Sequence, residues 1–144
     1  MARDPLLMLS LVRLLAVEQA RHTLGICLAA EAGVVDRIRD HAEAARRDQE
    51  ACGTLPNFYQ FLDMSAARQG AIRADRHADE AILVALRTRS NEARAAVVAA
   101  RTAAEAVRQL IGERATLAQT EAAKQEQHML DDMTRRRRPA NGRP

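Results

Sequence analysis

The chain has no tryptophan, and its aromatic residues make up only 2% of 144 positions. The large side chains that fill a thick globular core are therefore missing. Proline is nearly as scarce. Pro56 stands alone between Pro5 and Pro139, so two long stretches contain nothing that must break a helix. Cysteine occurs only at Cys27 and Cys52, in no spacing that fits a metal or redox site, and two reduced thiols are expected. Lys124 is the only lysine. No phosphate-binding loop, dinucleotide glycine fingerprint, nucleophile elbow or paired-histidine zinc helix occurs.

The four histidines, His22, His41, His77 and His128, are scattered. His128 and Asp132 lie one helical turn apart, an ordinary pair on a solvated helix. No catalytic, cofactor-binding or metal-binding residues are expected, and no cofactor. Two paired helices offer no pocket of the size a small-molecule substrate needs. The expectation is a protein that is not an enzyme. One apolar run, Leu6 to Val17, is interrupted by Arg13 and falls short of the about 20 residues that span a bilayer. Neither a positive leader nor a small-residue cleavage pattern flanks it, so a cytoplasmic location is expected.

Hydrophobic residues still reach 47%, with alanine leading. Alanine mixed with Arg, Glu, Gln and Leu in helical periodicity points to long paired helices that bury a narrow seam. The formal charge is +3, carried largely by the C-terminal arginines. Without Arg135 to Arg138 and Arg143 the remainder is slightly acidic, a poor footprint for a nucleic-acid-binding body.

Asp4 followed by Pro5 reads as a helix start: a capping carboxylate, then proline where its missing N–H costs nothing. A first helix is expected over 5–52, near 70 Å at about 1.5 Å per residue. Its seam can be written Leu14, Val17, Arg21, Leu24, Leu28, Glu31, Val35, Ile38, Ala42, Ala45, Gln49, Cys52. A corner follows over 53–57, where Gly53 loosens the chain, Pro56 disfavours helix at Leu55, and Asn57 can cap what comes next. The second helix is expected over 58–137, with the seam Ile72, Asp79, Leu83, Leu86, Ser90, Ala93, Val97, Ala100, Ala104, Val107, Ile111. Residues 139–144 read as a disordered tail after a single hairpin over 1–138. The fold class is thus all-α, an antiparallel two-helix coiled-coil hairpin with the second helix longer than the first.

A turn centred on 53–57 predicts that facing residues have numbers summing to about 110, because both helices rise equally. Ile38 then meets Ile72, and Leu24 meets Leu86. The same rule leaves Val107, Leu110, Ile111 and Leu117 without a partner, on about 30 residues of projecting helix. A lone helix with an apolar stripe usually has a partner. Two further features stand out. Phe58, Tyr59, Phe61 and Leu62 place all the aromatic surface at the corner, more than a narrow seam can bury, and read as a recognition patch. Arg135 to Arg138 read as a cationic helix end, favourable against the helix dipole; a phosphate backbone is the alternative ligand.

The leucine-rich first helix, the corner Tyr59-Gln60-x-Leu62 followed by Gln69 and Ile72, and the tail Lys124-x-Glu126-Gln127-x-x-Leu130-Asp131-Asp132-x-x-Arg135 together resemble the FliJ family of flagellar export proteins. The resemblance covers nearly the whole chain, though the N-terminus lacks the usual basic cluster beside the first leucines. It implies a coiled-coil stalk of the type III export apparatus, similar to the central stalk of rotary ATPases. The implied partners are an export ATPase ring, a membrane export gate protein and export chaperones, with nucleic acid disfavoured. The implied location is peripheral, at the cytoplasmic face of the membrane. Gate contact would fall to Phe58, Tyr59, Phe61 and Leu62. Contact with ATPase and chaperones would fall to Leu7, Leu11, Val107, Leu110, Ile111, Leu117, Leu130 and Arg135. The competing readings are a generic or injectisome stalk coiled coil, and an arginine-tailed nucleic-acid binder.

Overall fold

The computed structural model describes residues 4–137; the expected tail, 139–144, lies outside them. Two helices account for almost all of the described chain, α1 over Pro5–Thr54 and α2 over Phe58–Arg137. They pack as an all-α helical hairpin with the second helix longer. Asp4 caps α1 as expected: its Oδ1 accepts the Leu6 N–H at 3.0 Å. α1 runs two residues past the expected 52, through Gly53 and Thr54, and stops at Leu55, the residue that Pro56 restricts. At the start of α2 the Gln60 N–H bonds the Asn57 backbone carbonyl, at 3.1 Å.

Contacts group the chain into two units, one of residues 16–100, the other of the N-terminal fifteen residues with everything from Arg101 on.

In the 16–100 unit, the least exposed positions of α2, Glu80 beside the seam apart, are Ser65, Gln69, Ile72, Asp79, Leu83, Leu86, Ser90, Ala93, Val97 and Ala100. From Ile72 onward these are the expected seam, position for position. On α1 the stripe is Val17, Ala20, Leu24, Cys27, Glu31, Val34, Ile38, His41, Ala45, Asp48 and Cys52. Half of the expected stripe stands. Five positions are displaced by one residue: Ala20, Cys27, Val34, His41 and Asp48 replace Arg21, Leu28, Val35, Ala42 and Gln49; the remaining one, Leu14, is exposed. Val34 is 3% exposed and Val35 44%. His41 and Asp48 turn inward, where they meet Asp79 and Arg68 on α2.

The pairing register corrects the expected one. Cys52 donates its thiol to the Ser65 hydroxyl at 3.2 Å, and Gln69 Nε2 donates to the Ala45 carbonyl at 3.1 Å. Arg37 meets Asp79, and Glu31 meets both Arg87 and Ser90. These contacts align the two stripes in layers whose residue numbers sum to 117: Cys52 with Ser65, Ile38 with Asp79, Val34 with Leu83, Cys27 with Ser90, Val17 with Ala100. The expected sum of 110 is off by one heptad, so it keeps every α2 seam residue on the seam and changes only what each one faces. Ile38 does not meet Ile72, and Leu24 does not meet Leu86.

In the other unit, Arg114 Nη1 lies 3.1 Å from Asp4 Oδ1. On the same layering Ser10 falls opposite Val107, and Leu6 opposite Ile111. Val107 is accordingly 6% exposed and Ile111 is half-buried. The expectation that Val107 and Ile111 project without a partner is therefore wrong, again by one heptad. From Gly112 to Arg136 every side chain is exposed.

Candidate interaction surfaces

α1 begins with a segment that has one charge, Arg13, between Asp4 and Glu18. Leu6, Ser10 and Val17 supply its buried stripe. Leu7, Met8, Leu9, Leu11, Val12, Leu14 and Leu15 do not fit on that stripe and are all exposed. At about 100° per residue, the seven cover roughly 220° of the helix circumference. A helix that is apolar nearly all round belongs in an interior. On α2 of the same unit, Leu110 and Leu117 add exposed apolar surface, and Leu117 is 64% exposed. Leu14 is expected on the seam, and Met8, Leu9, Val12 and Leu15 belong to the run from Leu7 to Leu15 that the family resemblance implies for the ATPase contact. The near-absence of charge over 5–17 is the signal that marks them.

The contact residues implied by the family resemblance therefore fall into two groups. Leu7, Leu11, Leu110, Leu117, Leu130 and Arg135 are exposed and open to a partner, whereas Val107 and Ile111 face α1. Leu130 and Arg135 lie on the α2 segment beyond Arg114, where Met129 and Met133 are exposed as well. Of the arginine run, α2 continues through Arg137, and Arg138 lies outside the described residues.

The corner carries the second surface. Tyr59 is 87% exposed, and Phe61, Leu62, Met64 and Leu55 are exposed with it. The side chain of Phe58 lies outside the described residues, although its backbone begins α2. The seam does not cover these residues because it reaches α2 only at Ser65. A groove of about 210 Å³ opens there between Asp48, Cys52 and Leu55 on one side and Phe61, Met64 and Arg68 on the other. Arg68 Nε lies 2.7 Å from Asp48 Oδ2 with its N–H aimed elsewhere, an ionic contact without a directed hydrogen bond.

Between Glu31 and Asp79 the seam itself is polar, a feature the sequence shows only as interruptions. Asp79 Oδ1 accepts Arg37 Nη2–H at 2.8 Å, and both its oxygens lie 3.3 Å from Arg37 Nε. His41 Nε2 lies 3.1 Å from Asp79 Oδ2 and donates to it in the Nε2–H tautomer. The Arg37 hydrogen bonds hold the Asp79 carboxyl below its ordinary range; burial opposes this, and His41 adds to it. Three layers on, Ser90 is fully buried, and its hydroxyl donates to Glu31 Oε2 at 2.9 Å. Arg87 Nε stands 3.5 Å from the other Glu31 oxygen.

These arrangements offer surfaces for association. Among the described residues no group of three or more His, Cys, Asp or Glu is placed to hold a metal ion. No described helix is long and apolar enough to cross a membrane. Searches of protein-family models, curated proteins and solved structures find no match to this chain.

Proposed function

We propose that this chain is a non-enzymatic coiled-coil stalk of the flagellar type III export apparatus, linking an export ATPase ring to a membrane export gate and escorting substrate chaperones at the cytoplasmic face of the membrane. The observation that carries the reading is the leucine-rich start of α1, whose exposed apolar residues wrap too far around the helix to be covered by one flat surface. A socket with several walls fits it, and the centre of a protein ring is such a socket. The exposed aromatic corner, Tyr59, Phe61 and Leu62, supplies the gate-facing contact. Exposed Leu130 and Arg135 on the α2 extension are left for chaperones.

The experiment is a pull-down of the full chain from its native cell, with bound proteins identified by mass spectrometry. Joint recovery of an export ATPase and a gate protein of the flagellar system supports the proposal. Recovery of injectisome components moves the same geometry to a different machine. Recovery of nucleic acid, lost on deleting Arg135 to Arg138, overturns it in favour of the arginine tail.

A further inference from the structure

The seam has a property that its apolar residues alone do not fix. Its stripes repeat every seven residues on both helices, so a pairing displaced by one heptad, with layers summing to 110, keeps the same α2 positions on the seam. That displaced pairing is sterically reasonable. It places Ile38 opposite Ile72, Leu24 opposite Leu86 and Cys27 opposite Leu83, and leaves a five-residue connection over 53–57, a usual length for a helical hairpin. Charge is what separates the two registers. In the observed one, Asp79 lies against Arg37 and His41, and Glu31 lies against Arg87 and Ser90. Moved by a heptad, Asp79 exchanges Arg37 and His41 for Ala30 and Val34 and shares a layer with Glu31. Glu31 in turn exchanges Arg87 for Glu80. Three carboxylates, Glu31, Asp79 and Glu80, would then gather, and the nearest basic groups, Arg76 and His77, already pair with Glu80.

We infer that the hairpin is a two-register device, held in the observed register by Asp79 with Arg37, by Glu31 with Arg87 and Ser90 and by Asp48 with Arg68, and able to move by one heptad when those carboxylates are neutralised. The corner is coupled to that choice. In the observed register residues 53–64 stay off the seam, which is why Leu62 and Phe61 are exposed. In the displaced register Leu62 falls opposite Asp48 and joins the seam. A charge change in the polar layers is thereby converted into withdrawal of apolar surface from the corner. The relative axial movement is about 10 Å, seven residues at 1.5 Å each. The inference stands on the seam and its ion pairs, and holds whether or not the stalk reading is correct.

Paired cysteines test it in the full chain, with Cys27→Ser and Cys52→Ser as background. Val17→Cys with Ala100→Cys reports the observed register, and Val17→Cys with Ala93→Cys reports the displaced one. With the natural carboxylates the first pair cross-links and the second stays at a tenth of its yield or less. Adding Glu31→Gln, Asp48→Asn and Asp79→Asn raises the yield of the second pair at least tenfold. As a second readout, spin labels on Ala29→Cys and Ala99→Cys report a longer distance in the neutralised variant than in its parent, measured at one pH. An unchanged pair preference and label distance overturn the inference. Loss of both cross-links also overturns it, since the polar layers would then hold the fold itself and not its register.

Discussion

Arg37 on α1 and Asp79 on α2 are 42 residues apart in sequence and 2.8 Å apart across the seam. Asp79 shares its layer with Ile38, where the expected register set Ile72. It gives the seam a direction that leucine and alanine cannot. An apolar seam tolerates a heptad error, whereas a carboxylate moved by one heptad loses its cation.

Removing that charge has a pH signature. The Asp79 carboxyl titrates below its ordinary value of 3.8, first because of the Arg37 hydrogen bonds. Its stabilising contribution is therefore fully present above that ordinary value and is lost as pH falls through the lower, folded-state value. Glu80, held down by Arg76 and then His77, contributes in the same direction. Asp79→Asn should lower the melting temperature at pH 7 and flatten its decline below pH 4. The measurement is thermal unfolding by circular dichroism across pH 2 to 7, with the parent chain as reference.

The position of the inner stripe on α1 is tested by adjacent valines. Val34→Ala empties a buried layer against Leu83 and should cost about 2 kcal/mol, at the low end of large-to-small core changes because the seam is narrow. Val35→Ala, on the exposed edge, should stay within about 0.5 kcal/mol. Urea unfolding of the two variants distinguishes them; the reverse order would restore the stripe through Val35.

The register near the corner can be locked covalently. The Cys52 thiol lies 3.2 Å from the Ser65 hydroxyl, so Ser65→Cys should oxidise to a disulfide with Cys52 without moving the helices. Closing that short loop should stabilise the chain by roughly 3 kcal/mol. Non-reducing electrophoresis and a melting curve with and without reductant check it. A variant that keeps both thiols free under oxidant would contradict the layer.

Much of this architecture is legible in the residues. The helix start is written in Asp4-Pro5, the corner in Pro56, and the α2 seam in a repeat from Ile72 to Ile111. The α1 stripe is only half legible, because steps of three and four from Val17, Leu24 and Glu31 lead equally well to Val34 or Val35, two valines of equal hydrophobicity. The register is lost for a related reason: a seven-residue period looks the same after a seven-residue shift. The clue lies in polar residues, since a sum of 110 sets Glu31 directly against Asp79. The extent of the free α2 segment inherits that error. It misplaces Val107 and Ile111, yet leaves Leu11, Leu110 and Leu117 on exposed surface.

The proposed role as a stalk rests on the apolar end formed by the start of α1 and by Leu110 and Leu117. Leu11 is 58% exposed and Leu117 64%, and neither belongs to the seam. Replacing both by aspartate should therefore leave helicity and melting temperature near those of the parent. The most direct measurement is affinity of the full chain, parent and Leu11→Asp/Leu117→Asp, for the purified export ATPase of the same cell. The account predicts binding by the parent and at least a hundredfold loss in the variant with its fold intact. Equal binding by the two chains, or none by either, would contradict it.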